Sequence, residues 1–192
     1  MIFLLYSTRI YDFIKYITSF GGYKKENELI LHEIKNTDTV LDVGSGPGSA
    51  TKHIARVAKK CIALDRSHGA LKRAKRHKNV YSLCADAHDV PLKQNKIDVS
   101  VSSASMHHFK NVERVVSELC RISKKVVILD TEKPKWILDR FFLKLFDLGS
   151  SFKTLRDFEV YLKREGFFIT KCLQKRVGVF SRLFIVGEKN AV

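Results

Sequence analysis

A glycine-rich segment, Val40-Leu-Asp-Val-Gly-Ser-Gly-Pro-Gly48, has the residue types and spacing that most clearly indicate chemistry in this sequence. Its apolar start is followed by Gly44, Gly46 and Gly48, and then by a segment of helical character. Glycines between a strand and a helix let the backbone approach a ligand closely, and the N-terminus of the helix presents free N–H groups. The segment therefore predicts a turn that binds a nucleotide-like ligand, with a purely structural turn as the alternative.

Acidic residues near this turn indicate which ligand it would bind. The glycines follow a G-x-G-x-G spacing with Asp42 two residues ahead, which differs from the G-x-G-x-x-G fingerprint of dinucleotide sites. Asp42 can accept hydrogen bonds from an ammonium group, which favours a nucleoside with an amino-acid tail over a pyrophosphate. Asp65 and Asp86 follow the next two apolar runs, where carboxylates can accept from ribose hydroxyls and from an adenine amino group.

The elements that must position these acids can be predicted from hydrophobic patterning. After Asp38, short β-branched runs alternate with charged amphipathic segments, which predicts an α/β fold with a mostly parallel, Rossmann-like sheet. Two final runs joined by a short basic turn predict an antiparallel hairpin, so that the sheet has seven strands. The predicted strands are Thr39 to Val43, Cys61 to Asp65, Val80 to Cys84, Ile97 to Ser102, Lys125 to Asp130, Phe167 to Gln174 and Val179 to Glu188. The predicted helices are Ser49 to Ala58, His68 to His77, Val112 to Ile122 and Leu155 to Glu165.

Two further segments are amphipathic. Thr8 to Phe20 has one polar helical face, and Trp136 to Leu148 has only a narrow polar stripe beside a broad apolar surface. We expect residues 1–192 to form a single domain with an N-terminal helical extension over residues 1–38. Residues 132–154 are expected to form a lid over an apolar substrate.

Composition excludes several classes of protein. The chain has 192 residues, of which 45% are hydrophobic and 29% charged, which excludes a wholly disordered or fibrous chain. No apolar run approaches the roughly 18 residues of a spanning helix, and the start lacks the pattern of a secretory signal. The four cysteines lack CxxC spacing and predict buried free thiols in a cytoplasmic protein: Cys61, Cys84, Cys120 and Cys172.

Taken together, the motifs resemble those of the class I S-adenosylmethionine-dependent methyltransferases over nearly the full length. The matching pieces are LDVGSGPGS at 41–49, ALDRS at 63–67, ADAHDVPL at 85–92, IDVSVSSASMHHF at 97–109 and the terminal hairpin. Within that superfamily, the N-terminal segment and the His-His-Phe after the fourth strand look most like the methyltransferases of quinone biosynthesis. The resemblance implies S-adenosyl-L-methionine as the cofactor.

The resemblance also implies the roles of individual residues. The methionine tail is expected near Asp42 and the glycine turn, which includes Gly44, Ser45, Gly46 and Gly48. The ribose is expected at Asp65 with Arg66 beside it, the adenine at Asp86 and Ala87, and the sulfonium near Ser102.

Two adjacent histidines, His107 and His108, follow the strand expected to end closest to the transferred methyl group. A general base is required only where the acceptor must lose a proton, and histidine is suited to this near neutral pH. The alternative is that one ring packs or caps the following helix and the other faces solvent. We expect no metal site, because adjacent histidines do not easily bind one ion and no carboxylate cluster accompanies them.

The charge balance leaves several partners open. The net charge is +15, and Lys52 to Lys78 contains many cations with Asp65 as its single acid. Such a surface suits nucleic acid, an anionic membrane or simple solvation. We expect a cytoplasmic enzyme acting on a small apolar acceptor, with peripheral contact to an anionic membrane left open. The alternatives are methylation of RNA or another macromolecule, which the absence of the usual base-methylation motifs disfavours, and a non-catalytic subunit that binds the cofactor.

Overall fold

The computed structural model describes residues 23–74, 78–133, 151–177 and 180–189. Strands within these ranges are β1 (Thr39–Val43), β2 (Lys60–Asp65), β3 (Val80–Cys84), β4 (Ile97–Ser103), β5 (Ser123–Thr131), β6 (Phe167–Val177) and β7 (Phe180–Lys189). Helices are α1 (Tyr23–Leu31), α2 (Thr51–Ile54), α3 (His68–Ala74), α4 (Val112–Ile122) and α5 (Leu155–Arg164), with a 3-10 turn at Met106–His108.

The strands form one seven-stranded sheet in the order β3-β2-β1-β4-β5-β7-β6. The first five strands in the chain pair in parallel, whereas β7 pairs antiparallel with both β5 and β6. The predicted α/β fold with a terminal antiparallel hairpin is therefore confirmed. Strand order reverses between β1 and β4, and open α/β sheets bind ligands outside the carboxyl ends of the strands at such a point.

Two apolar layers hold the helices against the sheet. On one face, Val115 and Leu119 of α4 pack with Phe158 and Leu162 of α5. On the other face, the apolar residues of α1, α2 and α3 form a second cluster, which includes Ile30, Ile54 and Leu71. Alternate residues of β1 belong to opposite clusters, so the sheet buries both of its faces, as parallel sheets do.

The seven predicted strands and the four helices predicted between them are found at the expected positions in the described residues, with one difference in length that concerns the site. The end of the helix predicted over His68 to His77 lies outside the described residues after Ala74. The helix predicted over Ser49 to Ala58 is wrong in extent, because α2 spans Thr51–Ile54 and turns follow it. The side-chain amide of Asn79 donates to the carbonyls of Ala55 and Ala58 at 2.8 and 3.0 Å, which ends the helix before β2. A single helical turn has only a small dipole, so the glycine turn itself must supply most of the ligand donors.

Other expectations have mixed outcomes. Cys61 and Cys120 are buried free thiols as predicted, but Cys84 and Cys172 are exposed, because each lies on an edge strand of the sheet. No helix among the described residues is long and apolar enough to cross a bilayer. The predicted helices Thr8 to Phe20 and Trp136 to Leu148 lie outside the described residues.

Candidate active site

A solvent-open cleft lies where β1 and β4 end, at the point of strand-order reversal. Its lining combines the glycine turn after β1 with the residues that end β4. Predicted site residues among its lining are Asp42, Gly44, Ser45 and Gly46. The cleft is also lined by Pro47, Ser49, Ala50, Ser103 and Ala104.

The glycines of the turn have different tasks, although Gly44, Gly46 and Gly48 all have positive φ angles. A Cβ at Gly44 would lie 2.6 Å from the Cβ of Ser105, and one at Gly48 would lie 2.8 Å from the Cα of Ala74. Packing of the chain against itself therefore requires these two glycines. A Cβ at Gly46 would meet no atom of the described residues within 4 Å, so this position opens onto the cleft.

Two polar side chains of the cleft differ in their bonding. The hydroxyl of Ser45 is buried and has no hydrogen-bond partner among the described residues, while its backbone N–H donates to the Leu64 carbonyl at 3.0 Å. The buried carboxylate of Asp42 accepts from the Thr51 hydroxyl at 2.6 Å. Buried polar groups are normally paired, so the unpaired Ser45 hydroxyl at the wall of a cleft indicates a place for a ligand.

Asp65, at the end of β2, connects the glycine turn to the start of α3. One carboxylate oxygen accepts from the Gly46 N–H at 2.8 Å, and the other accepts from the Ser67 N–H at 2.8 Å. Asp65 therefore shapes the open part of the turn as well as offering acceptor capacity beside it. Sequence analysis assigned only the acceptor role to this residue.

Asp86, which follows β3, is bonded within its own loop. One of its oxygens accepts from the His88 backbone N–H at 2.9 Å and contacts the His88 ring Nδ1 at 2.6 Å. These bonds hold the pKa of the Asp86 carboxyl below its ordinary value. Arg66 lies 3.9 Å from the other oxygen with its side chain mostly exposed, while Ala87 is buried in the core beneath the loop. None of these residues lines the cleft.

The end of β4 reaches the cleft through a different residue from the one predicted. Ser102 is fully buried, and its hydroxyl lies 2.7 Å from the Ser105 hydroxyl. The Ser105 hydroxyl donates to the Val43 carbonyl at 2.8 Å. Ser103 and Ala104 line the cleft instead. Ala104 has a φ of +52°, and such strained residues concentrate at functional sites. Side chains alternate between the two faces of a strand, so neighbouring residues such as Ser102 and Ser103 face opposite sides. This alternation was the signal in the sequence that could have separated them.

The structure separates the two histidines that the sequence could not distinguish. His107 is buried, its ring Nδ1 is hydrogen-bonded to Asp130 at the end of β5, and its ring stacks on Phe152 with centroids 5.2 Å apart. His108 is exposed, with its ring centroid 4.1 Å from that of His107. Asp130 was not among the predicted site residues, although it lies at the end of an apolar strand in the same way as Asp42 and Asp65.

The carboxylate of Asp130 is well supplied with donors. It accepts from the backbone N–H groups of Thr131 at 2.6 Å and of His107 at 3.3 Å. Burial alone would raise the pKa of Asp130, but His107, Arg182 and these hydrogen bonds outweigh it and keep the pKa below its ordinary value. Asp130 is therefore an ionised hydrogen-bond acceptor at the end of β5.

The residues present fit the cofactor that the sequence resemblance implies. Gly46 leaves room where a side chain would stand, the Ser45 hydroxyl lacks a partner, and Asp42 supplies negative charge for an ammonium group. Asp65 adds acceptor capacity next to the turn. Within the described ranges, His, Cys, Asp and Glu form no group of three or more that could hold a metal ion.

Comparisons with known proteins support this assignment. Residues 41–129 match the family described as "Methyltransferase domain". A demethylmenaquinone methyltransferase of Corynebacterium urealyticum is 29% identical over 130 residues, covering 65% of this chain and 56% of that protein. The ubiquinone/menaquinone biosynthesis C-methyltransferase of Wigglesworthia glossinidia brevipalpis is 27% identical over 155 residues, covering 73% of this chain and 61% of that protein. The chain thus spans less than two thirds of the length of these relatives.

A solved structure shows the same fold. The geranyl diphosphate C-methyltransferase of Streptomyces coelicolor, bound to S-adenosyl-L-homocysteine, superposes with a TM-score of 0.73 at 13% identity. The superposition covers 88% of this chain and 81% of that one. The family match over residues 41–129 and this shared fold confirm the resemblance to S-adenosylmethionine-dependent methyltransferases.

Proposed function

We propose that this chain, which carries a match to the methyltransferase domain, transfers a methyl group from S-adenosylmethionine to a small apolar acceptor of the quinone-precursor or lipid type. The cleft at the end of β1 and β4 carries the proposal, because its open glycine and unpaired serine hydroxyl suit a ligand that contacts the backbone closely. The similarity to two quinone methyltransferases supports the class of acceptor.

The cofactor would be held by residues of the first three strand ends. Asp42 and Ser45 would hold the methionine tail, Asp65 the ribose and Asp86 the adenine. When bound, S-adenosylmethionine supplies the methyl carbon, and the electron pair of the broken carbon–sulfur bond remains on its sulfur. The contribution of the cleft is to orient the reactants and exclude water.

The proton of the acceptor would leave through His107. A phenol or an activated ring carbon becomes nucleophilic as it loses a proton, and Nε2 of a neutral imidazole can accept that proton. The ring of His107 is fixed by the Asp130 carboxylate and by stacking on Phe152. A fixed ring loses less entropy when it meets the acceptor, so this histidine suits a base better than its exposed neighbour His108.

One observation favours a second candidate, the methylation of RNA. In the described part of the chain, the side chains of Lys52, Arg56 and Lys72 are exposed on the segments that follow β1 and β2. Such cations suit a phosphate backbone. They belong to α2, to the turn that follows it and to α3, on the face of the sheet that packs against α1, whereas His107 follows β4. RNA bound to these cations would lie beside His107 rather than over it. A small acceptor is therefore favoured.

The apolar acceptor and the membrane contact rest on Trp136 to Leu148, which lies outside the described residues. Its broad apolar surface would cover an apolar acceptor or lie in an anionic membrane interface. We expect Phe141→Ser with Phe142→Ser to abolish acceptor methylation while cofactor affinity is retained. Sedimentation with anionic but not neutral vesicles would support the membrane contact.

The test of the proposed function uses S-adenosylmethionine labelled in its methyl group. The purified protein is incubated with a cell extract that is then separated into lipid, RNA and protein. We expect label in the lipid fraction with the wild type and none with Gly46→Val. Label in RNA would favour the second candidate, and cofactor binding without label in any fraction would indicate a non-catalytic subunit.

A further inference from the structure

A chain of charged and polar side chains connects His107 to helix α1. The first link is the hydrogen bond between the His107 ring and Asp130. Next to Asp130, the Thr131 hydroxyl accepts from Arg182 Nη1 at 2.7 Å. Arg182 also donates through Nε and Nη2 to the Glu26 carboxylate, at 2.8 and 3.1 Å. The groups come from α1, β5, β7 and the turn after β4.

The acceptor-only character of Asp130 determines which ring nitrogen of His107 carries the proton. An ionised carboxylate has no proton to donate, and Asp130 is buried with a backbone N–H from Thr131 already bonded to the oxygen that His107 contacts. The Nδ1 atom of His107 must therefore be the donor in the pair. In the neutral ring, this leaves the lone pair on Nε2, which is the atom that a general base requires.

Arg182 is in turn held from two sides. Its bidentate contact with Glu26 has the fork geometry in which arginine and carboxylate bind most specifically, and both side chains are largely buried. Its third contact, to Thr131, places the guanidinium beside the residue that follows Asp130. The positive charge of Arg182 also lowers the pKa of Asp130, so it offsets part of the cost of burying that carboxylate.

We propose that Asp130 and Arg182 are positioning residues of the acceptor site, which hold His107 in its Nδ1-protonated tautomer, and that Glu26 extends this control to α1. The inference deepens the proposed function and rests on it for the role of His107 as a base. Each of the three residues acts through the next one along the chain. The N-terminal helix is therefore part of the catalytic arrangement as well as a cover for the sheet.

A matched pair of acids separates this role from simple anchoring of α1. Glu26 and Glu33 are both 7% exposed, and both pair with cations of the sheet. Glu33 contacts Lys171 at 2.6 Å and Lys125 at 3.3 Å. Neither lysine has a contact with Asp130 or its neighbour Thr131 in the described structure. Loss of Glu33 should therefore weaken the docking of α1 without affecting the His107 tautomer.

The experiment measures the tautomer directly, by nitrogen NMR of protein labelled with 15N-histidine at alkaline pH and without cofactor. His107→Gln assigns the signals. We expect the wild type to show the Nδ1-protonated form at His107, and Asp130→Asn to populate the Nε2-protonated form. Arg182→Met and Glu26→Gln should shift the populations in the same direction by a smaller amount, while Glu33→Gln leaves them unchanged.

Turnover with the acceptor provides the second readout. Asp130→Asn should lower kcat about 100-fold, and Glu26→Gln about threefold to tenfold, with cofactor affinity unchanged. Glu33→Gln should keep the wild-type kcat even where its melting temperature falls as far as that of Glu26→Gln. If Asp130→Asn does not fold, Arg182→Met and Glu26→Gln carry the test.

The outcomes distinguish this inference from the proposed function. An unchanged tautomer in the foldable variants overturns the inference, as does an equal loss of kcat in Glu26→Gln and Glu33→Gln. A tautomer that changes as expected in a protein that methylates no acceptor supports the charged chain and overturns the proposed function instead.

Discussion

The strand ends on the two sides of the cleft hold their acids in different ways. On the β1–β3 side, Asp65 is bonded to Ser67, and Asp86 to His88, each two residues along the chain. On the β4–β5 side, His107 is bonded to Asp130, and the Arg182 behind them is bonded to Glu26. The first side thus depends mainly on short-range bonds, together with the longer-range bond from the Gly46 N–H to Asp65. The second is assembled from distant segments and is largely buried, which suits a group that must keep one orientation.

The largest expected effect tests whether the glycine turn serves packing or ligand. Gly48→Val should lower the free energy of unfolding by about 3 kcal/mol, because its side chain would collide with Ala74 and its backbone has a φ of +90°. Gly46→Val should cost about 1 to 2 kcal/mol, from backbone strain alone. Urea unfolding measures both.

Cofactor binding to Gly46→Val tests the second part of this comparison, the role of Gly46 in the ligand site. Calorimetry should find no cofactor binding to folded Gly46→Val, because its side chain would occupy the cleft. Normal binding by this variant would show that the cofactor lies elsewhere.

The next effect tests which of the two histidines on the β4–β5 side contributes to turnover. His107→Ala should lower turnover about 100-fold, the usual scale of general-base catalysis, with cofactor affinity unchanged. His108→Ala should change turnover less than threefold, because this ring is exposed, whereas the ring of His107 is buried and bonded to Asp130. Steady-state kinetics of the two variants and of the double variant measure this. A full loss in His108→Ala alone would reverse the assignment.

Variants of Asp65 test the contribution of the β1–β3 side to cofactor binding. Asp65→Ala should weaken cofactor binding by about 1.5 to 3 kcal/mol, the scale of hydrogen bonds to a charged group. Part of this loss would come from the glycine turn, since Asp65 also accepts from the Gly46 N–H. Calorimetry with Asp65→Asn, which keeps one acceptor oxygen, should show a smaller loss. Unchanged affinity in Asp65→Ala would remove this acid from the site.

The smallest expected effect is a change in folding stability with pH, compared between an acid of the β1–β3 side and an acid of the β4–β5 side. The folded pKa of Asp86 is lowered, so its contribution to stability is present above its ordinary value near 3.8 and is lost as the pH falls through the folded pKa. The side chain of Asp86 is 43% exposed, so the stability of Asp86→Asn should differ from wild type by under about 1 kcal/mol at neutral pH. The same pH scan should show a larger difference for Asp130→Asn, whose carboxylate is buried. Equal differences for the two variants would contradict the contrast between the sides.

The same contrast explains how much could be predicted from the sequence. The order of strands and helices and the glycine turn follow from short-range patterns, and they were predicted. The pairing of His107 with Asp130 depends on parallel packing of β4 against β5, which no spacing in the sequence records. Ser102 was predicted from the family resemblance, but it is buried, and its neighbour Ser103 lines the cleft.

The length of the helix after the glycine turn was also beyond the sequence. Asn79 lies in the turn before β3 and donates to the carbonyls of Ala55 and Ala58, which follow α2. Helix propensity in the sequence Ser49 to Ala58 gives no sign of that distant amide. The predicted length of this helix was therefore wrong because it depends on hydrogen bonds from a residue distant in the sequence.

The position of β7 between β5 and β6 affects how the protein is made. During synthesis, β5 emerges from the ribosome well before β7, so its apolar residues, which include Val127 and Ile128, are for a time at an unpaired sheet edge. Such an edge is a site of aggregation in nascent chains. Arg182 arrives on the strand that closes this edge, so the same event protects the newborn chain and completes the charges behind His107.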